Sequence, residues 1–201
     1  MTLPKNFSVN QIGKQIKKIL EDSICVKEKI ITSNLPSLSQ IALVLIECLK
    51  KGGKIIIFGN GGSAADSLHI AAELVGRFEK ERTPLPAIAL TSNVSNLTAL
   101  ANDYGYQSVF SRQLAAIAQK QDVAWGISTS GNSENVIGAL SIAKKSGLLT
   151  VAFTGGDGGK LKKVADLTFI VPSFNTARIQ EAHMTAAHAL CKLIEESLFN
   201  D

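Results

Sequence analysis

Between residues 9 and 31 apolar side chains recur at Val9, Ile12, Ile16, Ile19, Leu20 and Ile24. This three-and-four spacing marks one face of a helix, with Lys and Gln opposite. Asn34-Leu35-Pro36-Ser37 breaks the pattern and offers a cap, and a second helix is predicted from Ser37 to Lys51, stopped by Gly52-Gly53. From Lys54 the texture changes, and short apolar runs alternate with helical stretches, each run ending in small polar residues. That rhythm predicts an α/β sheet. Strands are expected at Lys54–Phe58, Ala87–Leu90, Asp122–Ser128, Leu148–Thr154 and Leu167–Val171, and helices at Ala64–Arg77, Ser111–Gln119, Ser133–Ser146 and Ala177–Phe199. The expectation is a sheet of five parallel strands preceded by two helices. At roughly 150 residues per domain, 201 residues make one domain, with 1–53 as leading helices and 54–201 as sheet and C-terminal helix.

Composition narrows the partners. The formal charge is +4 and the pI near 9.0, but residues 1–54 carry nine Lys against Glu21, Asp22, Glu28 and Glu47, a net of +5, while 55–201 carry 12 basic and 13 acidic groups. The basicity belongs to the leading helices and has neither a recognisable motif nor interleaved aromatics, which argues against nucleic acid. Cys25, Cys48 and Cys191 are odd in number and have no C-x-x-C spacing. They exclude a disulfide framework and a cysteine zinc site, and fit a reducing compartment. The longest apolar run, Ile41 to Ile46, ends at Glu47, too short for a membrane span. A soluble, cytoplasmic protein is expected.

In open α/β sheets ligands bind outside the carboxyl ends of strands. Two loops are placed there. Ser128-Thr129-Ser130-Gly131-Asn132-Ser133 offers four hydroxyls, a glycine and an amide ahead of a helix. Short donors, free backbone N–H groups and room for close approach are what a phosphate needs, although the same residues would serve as a polar turn and N-cap. Gly59-Asn60-Gly61-Gly62-Ser63-Ala64 fits G-x-G-x-x-A, yet the acidic residue of a dinucleotide site would have to be Glu79 or Glu81, inside a charged run before Pro84. A loop that lets a small ligand approach the backbone explains these glycines as well.

His69 and Glu73 lie four apart and share a helix face. Gln180, Glu181, His183 and His188 lie on the last helix, where Gln180 and His188 sit about 80° apart around the axis and can address a common site from two turns apart. Each His could equally cap or pack, but polar exceptions on apolar helices need partners, and a mutual site supplies them.

These residues, with Ala101-Asn102-Asp103 and Arg178-Ile179-Gln180-Glu181-x-His183, resemble the sugar-isomerase (SIS) domain family, and in particular its members that isomerise sedoheptulose 7-phosphate. The resemblance runs nearly from end to end. The serine loop alone indicates a phosphosugar-binding domain, and the His-Glu pair with Gln180 and His188 is the more specific signature. It implies a flavodoxin-like, three-layer αβα sandwich, a homotetramer, and conversion of sedoheptulose 7-phosphate to D-glycero-D-manno-heptose 7-phosphate, the entry to nucleotide-activated heptoses. It further implies that Ser128, Thr129, Ser130 and Ser133 hold the phosphate, that Asn60, Gly61, Gly62, Ser63, Asn102 and Asp103 contact the sugar, and that His69, Glu73, Gln180 and His188 bind zinc. Glu73 would then be the base that moves a proton between C1 and C2, and His188 its partner on the oxygens. Ala177 stands where some family members carry Asp, so any sugar contact of that carboxylate is missing. Two other readings share the fold: a binding adaptor like the replication-initiator-associating protein, which lacks a histidine at the last position, and a domain for a different phosphosugar. Retention of Glu73, Gln180 and His188 favours the isomerase.

Overall fold

The computed structural model describes residues 8–199. Residues 1–7 and 200–201, which the single-domain reading includes, lie outside the described residues. The chain runs α1 (Val9–Ser33), α2 (Leu35–Lys50), β1 (Ile55–Gly59), α3 (Gly62–Val75), β2 (Ala87–Ala89), α4 (Val94–Tyr104), a 3₁₀ turn (Tyr106–Ser108), α5 (Val109–Ile117), β3 (Val123–Ile127), α6 (Glu134–Lys145), β4 (Leu149–Gly155), α7 (Leu161–Val164), β5 (Leu167–Val171) and α8 (Thr176–Leu198). All five strands expected from the sequence are present. They are parallel, in the order β2-β1-β3-β4-β5.

Each strand residue of β1 and β3 is buried, because helices cover both faces of the sheet. Ile55 and Ile57 point into a core shared with α1, α2, α3 and α8, while Ile56 and Phe58 point into one shared with α5, α6 and α7. This is the αβα sandwich. On the first face Trp125, Phe153 and Phe169 stack edge to face along the sheet, and buried His183 of α8 packs against both phenylalanines. Its Nε2 lies 3.1 Å from the Thr154 carbonyl, so it carries the proton and donates.

Three local features depart from the sequence expectation. The break between the leading helices is the single residue Asn34, after which Pro36 sits in the first turn of α2, where its missing N–H costs nothing. Asn34 does not cap α2; its Nδ2 donates to the Ile170 carbonyl at 3.0 Å and pins a 76° bend to the end of β5. The helix α4 was not anticipated. It has no buried residue, and its only apolar side chains packed on the core are those of Leu97, Leu100 and Ala101, so its apolar period is faint. Finally, the charged run Glu79-Lys80-Glu81-Arg82 is split: Glu79 and Glu81 are exposed, while the Arg82 side chain is 1% exposed and pairs with Glu195, 2% exposed, at 2.8 Å. Among the described residues no single helix is long and apolar enough to cross a membrane.

The Glu195 carboxylate also accepts the backbone N–H groups of Phe78, Glu79 and Lys80. Burial alone would raise its pKa, but these donors and Arg82 outweigh burial and hold it down at about 2. His183 moves down as well, to about 4, because burial disfavours its cation. Both groups bind protons more tightly in the unfolded chain, so stability rises with pH across their windows. We expect the free energy of unfolding, measured by urea titration, to stay nearly level between about pH 6 and pH 4, where the cost of charging His183 is offset by the raised carboxyl of Asp66 on α3, and to decline from about 4.5 towards 2 as Glu195 protonates. Glu195→Ala leaves Arg82 buried without its partner and is expected to lower stability by about 3–5 kcal/mol at neutral pH.

Candidate active site

The strand order fixes where a ligand can sit. From β1 the chain crosses to β2 on one side and later returns to β3 on the other, so β1 and β3 flank the switch point where an open sheet leaves a crevice at its carboxyl edge. The loops after these two strands hold the glycine-rich and serine-rich motifs. Each leads into a helix without a side-chain cap: α3 behind Gly61, whose φ of +57° favours glycine, and α6 behind Ser133. Two helix N-termini without side-chain caps thus edge the crevice, their positive dipole ends suited to an anion.

Ser133 is placed as an N-cap but does not act as one. Its hydroxyl instead bonds that of Ser128 at 2.8 Å. Thr129 and Ser130 line a cavity of about 260 Å³ with Asn132, Gly156, Asp157 and Phe174. Gly131 has φ +66°, and a Cβ there would stand 2.3 Å from the Gly158 carbonyl, so the loop after β4 fixes the shape of the serine loop.

On the glycine side Ser63 is buried beneath the loop. The Asn60 amide is paired with Asn135 and with Tyr106. Asn102 and Asp103 bond each other at 2.8 Å on the exposed end of α4. Gly62 faces Gln180, whose Nε2 would lie 2.1 Å from a Cβ at that position, so only glycine lets the amide rest on the first turn of α3.

That contact begins a seam. Gly62, Asp66, His69 and Glu73 recur at helical spacing along one stripe of α3. On α8 Gln180 meets Gly62, and eight residues later His188 meets His69, so the two helices run side by side in the same direction. His69 Nε2 lies 2.9 Å from Glu73 Oε1 and 3.3 Å from His188 Nε2. One donor atom from each of the three falls within 4.8 Å of the others. Two imidazole nitrogens and a carboxylate oxygen facing one another have more lone pairs than protons to share, an arrangement a cation satisfies. Phe78 packs its ring 5.3 Å from that of His188 and shields one side.

Asp66, which no sequence motif singles out, lies on the same stripe between Gly62 and His69. Burial pushes its carboxyl up to about 6, against the opposing influence of His69, and its Oδ2 is buried with no hydrogen-bond partner among the described residues. The i−3 spacing from His69 was the available signal.

The third rung of the seam is the buried ion pair. Arg82 donates to the carbonyls of Glu73 and Leu74 at 2.8 Å each, and Glu195, seven residues past His188, receives its Nε. The end of α3 that bears Glu73 is therefore fastened to α8.

A test of the loop follows from Gly131. Gly131→Ala is expected to cost about 1–3 kcal/mol of stability, from the left-handed φ and the clash with backbone. It should also weaken binding of inorganic phosphate, measured by calorimetry, by ten-fold or more.

A family model described as SIS domain matches residues 20–155. The phosphoheptose isomerase of Aquifex aeolicus is 54% identical over 183 residues, which cover 91% of this chain and 96% of that protein. Among solved structures, a phosphoheptose isomerase from Neisseria gonorrhoeae superposes with a TM-score of 0.87 at 41% identity, over 92% of this chain and 99% of that one. A phosphoheptose isomerase from Francisella tularensis gives 0.88 at 39%, over 91% and 97%. On this likeness over nearly its whole length, the chain belongs to the SIS domain family and, within it, to the phosphoheptose isomerases.

Proposed function

We propose that this chain converts sedoheptulose 7-phosphate to D-glycero-D-manno-heptose 7-phosphate through an enediol. The observation that carries the reading is the convergence of His69, Glu73 and His188 on one seam, two helical turns from loops suited to a phosphate, in a chain whose relatives are phosphoheptose isomerases. The serine loop and the N-terminus of α6 hold the phosphate, and the backbone around Gly61 and Gly62, with Asn102 and Asp103, meets the sugar. The Glu73 carboxylate takes the proton from C1 and returns it at C2, while the His188 imidazole exchanges protons with the two oxygens. Phe78 keeps water from one side of that imidazole.

The donor set also fits zinc. His69, Glu73 and His188 would provide two imidazole and one carboxylate ligand, and Gln180, whose amide rests on Gly62, is the proposed fourth. Bound there, zinc supplies Lewis-acid polarisation of the substrate oxygens. Glu73 and His188 then divide their lone pairs between ligation and proton transfer.

Assembly is proposed from α1. Val9, Ile12, Ile16, Ile19, Leu20 and Ile24 form an exposed apolar row about 22 Å long at 1.5 Å per residue. A single subunit leaves this row uncovered, and a homotetramer would bury it. Buried free thiols at Cys48 and Cys191 suit a cytoplasmic setting.

Given sedoheptulose 7-phosphate, the purified protein should yield the aldose by NMR, and Glu73→Gln and His188→Ala should each lower kcat by about 10²–10⁴-fold. Full activity in both variants would remove their assigned roles, and an inactive wild type would remove the reaction. Zinc should raise the unfolding temperature of the wild type and leave that of His188→Ala nearly unchanged, a readout independent of turnover. Ile16→Asp should reduce the mass measured by light scattering.

A further inference from the structure

One hydrogen-bonded cluster in the crevice has no part in the chemistry above. It consists of Asn60 in the loop after β1, Asn135 in the first turn of α6, and Tyr106 in the 3₁₀ turn after α4. Asn60 Nδ2 donates to Asn135 Oδ1 at 2.8 Å, and Asn135 Nδ2 donates back to Asn60 Oδ1 at 2.9 Å. The Tyr106 hydroxyl donates to the same Asn60 Oδ1 at 2.8 Å.

The orientation of these amides follows from the backbone. The Val136 N–H donates at 3.0 Å to the Asn135 side chain, so the atom it meets must be the oxygen. Asn135 then presents its Nδ2 to Asn60, and Asn60 answers with Oδ1 to Asn135 and Nδ2 in return. With both lone pairs of Asn60 Oδ1 used, the tyrosine must be the donor, and Asn60 keeps one N–H free for a ligand.

Each bond joins segments distant in sequence that carry different parts of the site. Asn60 precedes the glycines of α3, Asn135 lies in the helix turn that follows the serine loop, and Tyr106 follows Asn102 and Asp103. The Asn60–Asn135 pair bridges the β1/β3 switch point directly, across the crevice the substrate must span. Asn135 is 3% exposed and cannot reach a ligand, so whatever it contributes passes through Asn60.

We infer that Asn135 and Tyr106 are positioning residues that fix the distance between the phosphate loop and the sugar-contacting loop, and so match the crevice to the length of a phosphosugar. The inference rests on the phosphosugar reading above. A ligand that touches only the serine loop is indifferent to that distance, whereas one that spans both loops is not. Inorganic phosphate and sedoheptulose 7-phosphate therefore separate spacing from loop integrity.

The test compares Asn135→Ala and Tyr106→Phe with wild type by steady-state kinetics, with inorganic phosphate as competitive inhibitor. Asn135→Ala removes two bonds across the crevice and should raise KM about ten-fold with kcat changed less than three-fold, while the inhibition constant for phosphate stays within two-fold. Tyr106→Phe, which loses one exposed hydroxyl and folds in any case, should raise KM about three- to five-fold with the same constant phosphate inhibition. Unchanged KM in Tyr106→Phe and in folded Asn135→Ala would overturn the inference, as would a phosphate constant that rises in parallel with KM. Should wild type turn over no sedoheptulose 7-phosphate, the isomerase reading fails separately. The comparison then reads calorimetric dissociation constants of sugar phosphate and phosphate, and parallel changes in the two overturn the inference.

Discussion

The buried pair of Arg82 and Glu195 sets the relation between the two helices on which the site depends. It takes Arg82 from a short charged run and Glu195 from α8 out of water and surrounds them with backbone partners: three N–H groups on the carboxylate, and the carbonyls at the end of α3 on the guanidinium. A buried ion pair adds little net stability compared with an apolar replacement, but removing either half is costly. Its effect here is geometric. It ties the end of α3 to α8 one rung beyond His69 and His188, and the Gly62–Gln180 contact fixes the rung before them. With the ion pair at one end and this close contact at the other, the spacing of the three convergent donor atoms follows from the packing of α3 on α8.

The other half of the crevice is built from dipoles. The net charge of the chain is positive, yet the excess lies in the leading helices and the remainder is nearly balanced. The N-terminus of α6 and the Ser128–Ser133 hydroxyl pair, tied to the glycine loop by the Asn60–Asn135 bridge, would supply local attraction for a phosphate without a basic patch. Proton transfer and anion binding are thus assigned to different elements. In the proposed reading the seam of α3 and α8 carries the first and the serine loop after β3 the second, with the glycine loop at the start of α3 meeting the sugar between them.

Much of this was legible in the sequence. The five strands followed from apolar runs ending in small polar residues, and His69, Glu73 and His188 stood out as polar exceptions on apolar helices. What escaped has physical reasons. Val94–Tyr104 is rich in Ser, Thr and Asn, which favour caps and turns, and it buries no residue, so neither propensity nor period declared a helix. Arg82 sits among Glu79, Lys80 and Glu81, and nothing local distinguishes the one side chain that turns inward to a partner 113 residues away. The Asn60–Asn135 bridge spans 75 residues and depends on parallel pairing of β1 with β3, which no spacing rule reports. Local pattern predicted elements and candidate chemistry, while the contacts that fix distances within the site arise only when distant segments meet.

The central claim is that the α3–α8 seam owes its working geometry to the Arg82–Glu195 tie. The most direct measurement is kcat for sedoheptulose 7-phosphate in Glu195→Gln, which keeps the volume of the side chain and removes its charge, taken well below the variant's own unfolding temperature. With a native circular dichroism spectrum, kcat should fall at least ten-fold although residue 195 touches neither substrate nor the three convergent side chains. A folded Glu195→Gln with wild-type kcat would contradict the account.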